Sequence, residues 1–215
     1  MCVWELGTGC FFMSFFTRKR NELEAKGIDP GRIPPGQYYT ERFPVLHAGS
    51  VPKVDQAEWD FTVDGLVASP QRWDYQDVLS MPTVRRTFDI HCVTKWSKLD
   101  TEWEGVAVSE LMSRVQPLPA ASHVLVIAEQ GFTSNLPLID FLAEENLFAY
   151  RFGGAPLDPE HGWPLRLVVP HLYFWKSVKW VRGVRLIGQD EPGFWERNGY
   201  HMHGDPWKEQ RFWGD

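Results

Sequence analysis

Apolar and polar positions alternate along several short stretches of this chain. Trp59, Phe61 and Val63 share one side of a run that turns at Asp64-Gly65, which predicts a strand over Trp59–Val67. Residues Val84–Val93 keep the same period of two, with Phe88, Ile90 and Cys92 on one face and Thr87, Asp89 and His91 on the other. Further strands are predicted at His123–Ala128, Leu147–Phe152 with a Gly153-Gly154 hairpin turn, Leu165–Val169 stopped by Pro170, and Val178–Ile187. Helical stretches are short: Thr17–Lys26 ending at Gly27, a helix capped by Asp74 that carries Val78, Leu79 and Met81, Ser109–Val115, and a turn or two over Leu138–Glu145. Glu129–Asn135 reads as a polar loop, and no periodicity organises the tail from Gly188. Asp29-Pro30-Gly31 and Pro34-Pro35-Gly36 enforce an irregular linker. Residues 1–36 therefore read as an N-terminal extension with a short helix and linker, and 37–215 as a single domain. Short strands with short helices between them, and no βαβ repeat, predict an α+β fold with a mixed, mainly antiparallel sheet.

Composition narrows the function. Lys plus Arg is 22 and Asp plus Glu is 28 in 215 residues, a net charge of −6. That balance argues against nucleic acid as a partner, and an anionic ligand must find a locally basic pocket. No run approaches the roughly 20 apolar residues of a membrane span. Met1–Phe16 is apolar, but its charges follow at Arg18-Lys19-Arg20, the wrong order for a secretory signal. The expected location is cytoplasmic. Met13 reads as a natural start, so residues 1–12 are expected to add nothing to the fold. The cysteines at 2, 10 and 92 make no disulfide framework. Neither a GxGxxG fingerprint nor a P-loop occurs.

Chemistry concentrates at two stretches. Asp89-Ile90-His91-Cys92-Val93-Thr94-Lys95-Trp96-Ser97 places a thiol beside imidazole, hydroxyl, ammonium and indole groups. Cys92 has three readings: a small buried hydrophobe, a hydrolytic nucleophile served by a histidine, or a soft thiolate ligand to a metal. Zinc held by protein alone is poorly supported, because no second cysteine, HxxxH or HExxH accompanies it. Downstream, His161-Gly162-Trp163-Pro164-Leu165-Arg166 and Lys176-Ser177-Val178-Lys179 put three cations among apolar and aromatic residues. Arg166 offers a donor fork for phosphate, Lys176 and Lys179 add point charges, and Ser177 with nearby backbone N–H groups completes a candidate anion cradle. The eleven tryptophans supply flat surface suited to a heterocycle. His201-Met202-His203 reads as an incidental pair.

Three ordered motifs carry a resemblance: Cys92-Val93-Thr94-Lys95-Trp96-Ser97, Gly154-Ala155-Pro156-Leu157 leading to His161 through Pro170, and Lys176-Ser177-Val178-Lys179-Trp180. The chain resembles the sulfite oxidase-type molybdopterin proteins, especially their small bacterial single-domain members, the group that holds the catalytic subunit of the methionine-sulfoxide reductase. The resemblance implies Mo-molybdopterin as cofactor, with Cys92 the thiolate ligand to molybdenum. It also implies that His161 and Arg166 hold the pterin and its phosphate, that the Lys176, Ser177, Val178 and Lys179 segment wraps the phosphate end, and that the Phe43–His47 loop contacts the cofactor through His47. Glu129 is a further polar contact by the same likeness. His91 and Trp96 become candidates for the pocket wall and Lys95 a handle for a substrate oxygen. The sulfite-oxidising members carry an arginine a few positions after the cysteine, where this chain has Thr94-Lys95-Trp96-Ser97, which argues against sulfite. The expectation is an oxygen-atom-transferring oxidoreductase acting on an S-oxide, an N-oxide or a small sulfur anion, with a separate redox partner for electrons. A non-catalytic cofactor carrier and a cysteine-histidine hydrolase are the alternatives.

Overall fold

The twelve-residue strand Trp96–Ala107 is the spine of the half of the molecule that holds Cys92. The computed structural model describes residues 20–215; Cys2, Cys10, the expected extension over 1–12 and residues 17–19 of the helix expected over Thr17–Lys26 lie outside them. The elements are α1 (residues 20–25), β1 (Tyr38–Tyr39), β2 (Asp60–Gly65), β3 (Gln71–Asp74), α2 (Tyr75–Ser80), β4 (Thr83–His91), β5 (Trp96–Ala107), α3 (Val108–Val115), β6 (His123–Ala128), β7 (Thr133–Pro137), α4 (Leu138–Phe141), β8 (Leu147–Phe152), β9 (Ala155–Pro156), β10 (Arg166–Val168), β11 (Val181–Ile187) and α5 (Phe194–Arg197). Asp74 caps α2 in a reciprocal capping box with Asp77, as the sequence predicts. Among the described residues no helix is long and apolar enough to cross a membrane.

Two sheets form. One runs β1-β5-β8-β10, with β4 on β5 and β9 on β8; the other runs β3-β2-β11-β6-β7. The β1–β5 and β2–β11 pairs are parallel and the others antiparallel, so the α+β, mainly antiparallel expectation matches the architecture. The first sheet is apolar on both faces. Val106, Phe148 and Leu167 join the core shared with the second sheet, while Trp103, Leu147, Ala149 and Val168 join a separate cluster that includes Cys92. Alternation along each strand divides neighbours between the two clusters.

β5 and β7 are among the strands the sequence did not show. In β5 the buried face is Ser97, Leu99, Thr101, Trp103 and Gly105, and its two hydroxyls disguise the period. Ser97 Oγ meets His91 Nδ1 at 2.8 Å, and Thr101 Oγ1 donates to Phe88 O at 2.6 Å and accepts from Trp103 Nε1 at 2.9 Å. In β7, read as loop, Ser134 and Asn135 are wholly buried because they serve an internal ion pair. That pair is Lys176–Glu196, 2.7 Å apart with both side chains 0% exposed. Lys176 Nζ also donates to Asn135 O, Asn135 Oδ1 and Met202 O, and Glu196 accepts from Trp175 Nε1 at 2.8 Å. The pair binds the tail to β7 and to the loop before β11. Lys176→Met is expected to destabilise the protein by about 3–5 kcal/mol, because it strands a buried carboxylate. The double change Lys176→Met with Glu196→Leu should recover most of that loss in urea unfolding.

Candidate active site

The turn between β4 and β5 carries the thiol. Cys92 N donates to Trp96 O and Lys95 N to Cys92 O, each at 2.9 Å, and Lys95 takes φ 74° to close the turn. Cys92 is thereby lifted to the floor of a cleft of about 550 Å³, at 8% exposure. Thr94 Oγ1 donates to its Sγ at 3.2 Å. Burial pushes the thiol pKa up, opposed by the Thr94 hydroxyl and by the backbone N–H groups of Thr94 and Val93. A metal would displace that proton and use the same N–H and O–H donors to hold the thiolate.

The cationic side of the cleft is built by Gly162, at φ 114°. A Cβ there would stand 3.0 Å from Arg166 Cβ and 3.1 Å from Lys179 Cβ, so only glycine lets the two approach. Arg166 is fully buried. Its Nη1 donates to His161 O at 2.8 Å and its Nη2 to Ser177 O at 2.9 Å, while its guanidinium lies 4.4 Å over Phe174 and 5.1 Å over Trp103. No carboxylate meets it among the described residues; burial pushes its pKa down to about 9, and its Nε has no partner. Trp96 Nε1, on the same cleft, is also unpartnered. A buried guanidinium with a donor to spare is the arrangement an anionic ligand completes. Lys179 Nζ reaches Leu46 O and Glu160 O, both at 2.8 Å. Phe43 stacks on His161, centroids 4.1 Å apart, and its carbonyl lies 3.4 Å from His161 Nε2. Burial, chiefly, holds His161 below the usual histidine range, so it is neutral near pH 7. His47 lines the rim, with Nδ1 on Gly49 O at 3.0 Å and its ring edge-on to Trp180.

Cys92, Phe43, His47, His161, Arg166, Ser177, Val178 and Lys179 thus line one cleft. Three expected residues are elsewhere. Lys176 is sealed in its pair with Glu196, so its charge is neutralised inside the fold. His91 points away from the thiol: β4 is bulged between Phe88 and Ile90, and the ring bonds Ser97 and packs edge-on to Trp207. Burial takes its pKa to about 4. Lys95 is exposed and does not line the cleft. Ser177 contributes less than expected, since its hydroxyl accepts from Val169 N at 2.9 Å. No histidine bonds Cys92 among the described residues, which removes the dyad a hydrolase needs. Glu129 lines the cleft and is paired with Arg182 at 2.8 Å. Sequence reasoning missed Thr94 as the thiol's partner. It also missed Phe194, Trp195 and Tyr200 on the cleft wall, because nothing in the tail's pattern marks it as ordered. His201 and His203 bond backbone and α4, and no metal-holding group of three or more His, Cys, Asp or Glu occurs among the described residues.

Lys179 is expected to make anion binding in this cleft pH-dependent. Burial first, then the charge of Arg166, push its pKa down to about 7, against the pull of Glu160 and Cys92. Above that pH the free protein has lost the proton, and an anion beside Lys179 must take one up to regain the ion pair. Affinity for a phosphate-bearing pterin is therefore expected to fall as pH rises past 7, by up to about tenfold per pH unit. Lys179→Met should flatten the profile measured by equilibrium dialysis.

Residues 48–195, more than half of the chain, match the family described as the oxidoreductase molybdopterin binding domain. The chain is 52% identical over 186 residues to the "Uncharacterized oxidoreductase YuiH" of Bacillus subtilis, covering 86% of this chain and 94% of that protein. It is 29% identical over 157 residues to the protein-methionine-sulfoxide reductase catalytic subunit MsrP of Gluconobacter oxydans, covering 65% of this chain and 50% of the relative. Against MsrP, then, the match spans half of the relative's length. The fold is similar to that of the sulfane dehydrogenase SoxCD from Paracoccus pantotrophus, with a TM-score of 0.62 at 20% identity over 71% of this chain and 43% of the other. The chain belongs to the oxidoreductase molybdopterin binding domain family, and it is a sulfite oxidase-type oxidoreductase whose cofactor is Mo-molybdopterin.

Proposed function

We propose that this oxidoreductase removes the oxygen atom from a small neutral oxide, an S-oxide or N-oxide, with Cys92 as the protein ligand to molybdenum. One observation carries the reading: the wall formed by Thr94, Trp175, Phe194, Trp195 and Tyr200 offers two hydroxyls and ring faces and no cation. A sulfur oxyanion would need a donor fork or ammonium there. One relative, a methionine-sulfoxide reductase subunit by name, supports the reading.

The bound cofactor supplies two-electron oxygen-atom transfer. The chain's own residues hold, orient and shield. The Cys92 thiolate is a soft donor for the metal. Arg166 and Lys179 would hold the pterin phosphate, helped by the Ser177–Val178 backbone, and His161, backed by Phe43, and His47 would help hold the pterin. Trp175, Trp195 and Tyr200 stack on the substituents that flank the oxide and keep water away. In the net reaction the oxide takes two electrons and two protons, its S–O or N–O bond breaks, and water leaves. A separate redox partner delivers the electrons, and the domain over 37–215 works in the cytoplasm.

The test is a reductive assay on molybdenum-loaded protein with reduced viologen as donor. S-oxides or N-oxides should be consumed with two viologens oxidised per oxide, and sulfite should not be oxidised with ferricyanide as acceptor. Lys95→Ala should leave kcat/KM within about twofold, as for other surface changes distant from a site. Sulfite oxidation as the dominant activity, or its dependence on Lys95, would overturn the reading.

A further inference from the structure

The carbonyls of Cys92 and Val93 are each held from outside the hairpin. Arg211, in the C-terminal tail and 8% exposed, donates through Nη1 to Val93 O at 2.7 Å across 118 positions of sequence. Its Nη2 reaches Pro35 O at 3.4 Å, and its guanidinium lies 4.9 Å over the Tyr173 ring. The nearest carboxylate, Glu209, is 3.8 Å away and half in solvent. From the other side Gln37 Nε2 donates to Cys92 O at 3.1 Å. Segments from both sides of the fold therefore meet on the Cys92-Val93 dipeptide.

Arg211 is not required merely to tether the tail. Met202 O is held by Lys176, His203 by Asp140 at 3.1 Å, and Gly204 O by Tyr173 N at 2.8 Å. What Arg211 adds is a fixed Val93 carbonyl and a buried positive charge bonded to the residue next to Cys92.

We propose that Arg211 is a positioning residue for the metal thiolate: it fixes the Val93 carbonyl so that Cys92 Sγ keeps one orientation, and its charge makes the sulfur a weaker donor to the metal. The proposal rests on Cys92 being the molybdenum ligand. A positive charge beside the thiolate favours the reduced centre, so it raises the potential. Only an arginine fork can serve Val93, Pro35 and Tyr173 together.

The experiment compares holoenzyme with Arg211→Gln and Arg211→Lys by potentiometric titration of the Mo(V) EPR signal. Arg211→Gln keeps a donor and loses the charge, so its midpoint should move to lower potential. Arg211→Lys keeps the charge on a flexible stem, so its midpoint should stay near wild type while its g-values spread. A midpoint in Arg211→Gln equal to wild type would overturn the proposal. If that variant takes up no molybdenum, Arg211→Lys decides: a spread signal supports the role and a wild-type line shape overturns it. Sulfur counting by X-ray absorption on wild type and Cys92→Ser tests the ligand separately, so failure there is distinct from failure of Arg211.

Discussion

Cys92→Ser is expected to remove one sulfur from the molybdenum shell and to lower oxide turnover by about 10²-fold or more, since even residues behind the ligands carry effects of 10–100-fold. Serine has nearly the volume of cysteine, and Thr94 Oγ1, now 3.2 Å from Sγ, can still donate to a hydroxyl. What changes is chemistry: the hydroxyl is harder and keeps its proton at any working pH, so it is a poor substitute for a soft thiolate. The structural cost should be small, about 1 kcal/mol, because the side chain faces the cleft as well as its apolar neighbours. The split between the two effects is the test. If urea unfolding barely moves while molybdenum–sulfur scattering loses one neighbour, the thiol is a ligand. A variant with full activity and an unchanged sulfur count would mark Cys92 as packing only.

The parts of the fold that could be read from sequence are those where burial and polarity coincide. The His123–Ala128 and Leu147–Phe152 strands match residue for residue, and the helix expected at Ser109–Val115 begins one residue earlier, because their buried positions are apolar. β5 and β7 were illegible for the opposite reason: Ser97, Thr101, Ser134 and Asn135 are polar residues buried to satisfy one another and their neighbours. The tail's order depends on single polar anchors, Met202 O to Lys176, His203 to Asp140 and Arg211 to Val93 O, which leave no period behind. At the site, clustering of cations in sequence pointed to Arg166 and Lys179 together. It misdirected Lys176, because β7 and Glu196 were absent from that reading. Lys176 sits in a turn, one residue from each of the cleft residues Trp175 and Ser177, and spacing alone cannot say which side receives the charge.

Arg166→Met is expected to lower the cofactor content of purified protein and to weaken molybdopterin binding by about 10–100-fold, with a smaller change in the stability of the cofactor-free form. Two opposing effects set the second part. Removing the guanidinium leaves His161 O and Ser177 O without their donor, each at about 1–3 kcal/mol. It also removes a buried cation that no carboxylate among the described residues neutralises, whose desolvation costs several kcal/mol in the free protein. Methionine fills much of the same volume against Phe174 and Trp103. The two effects are of similar size and opposite sign, so the thermal midpoint of cofactor-free protein should shift little. In the loaded protein the balance breaks, because a phosphate that would have met the free Nε finds an apolar stem. Arg166→Lys separates charge from geometry: it restores the cation but not the fork that spans two carbonyls and an anion at once. Its binding should fall between wild type and Arg166→Met. Equal affinity for all three proteins, measured by displacement of the cofactor, would mean that the phosphate is held elsewhere, and Arg166 would then be a structural cation tying β10 to the turn before β11.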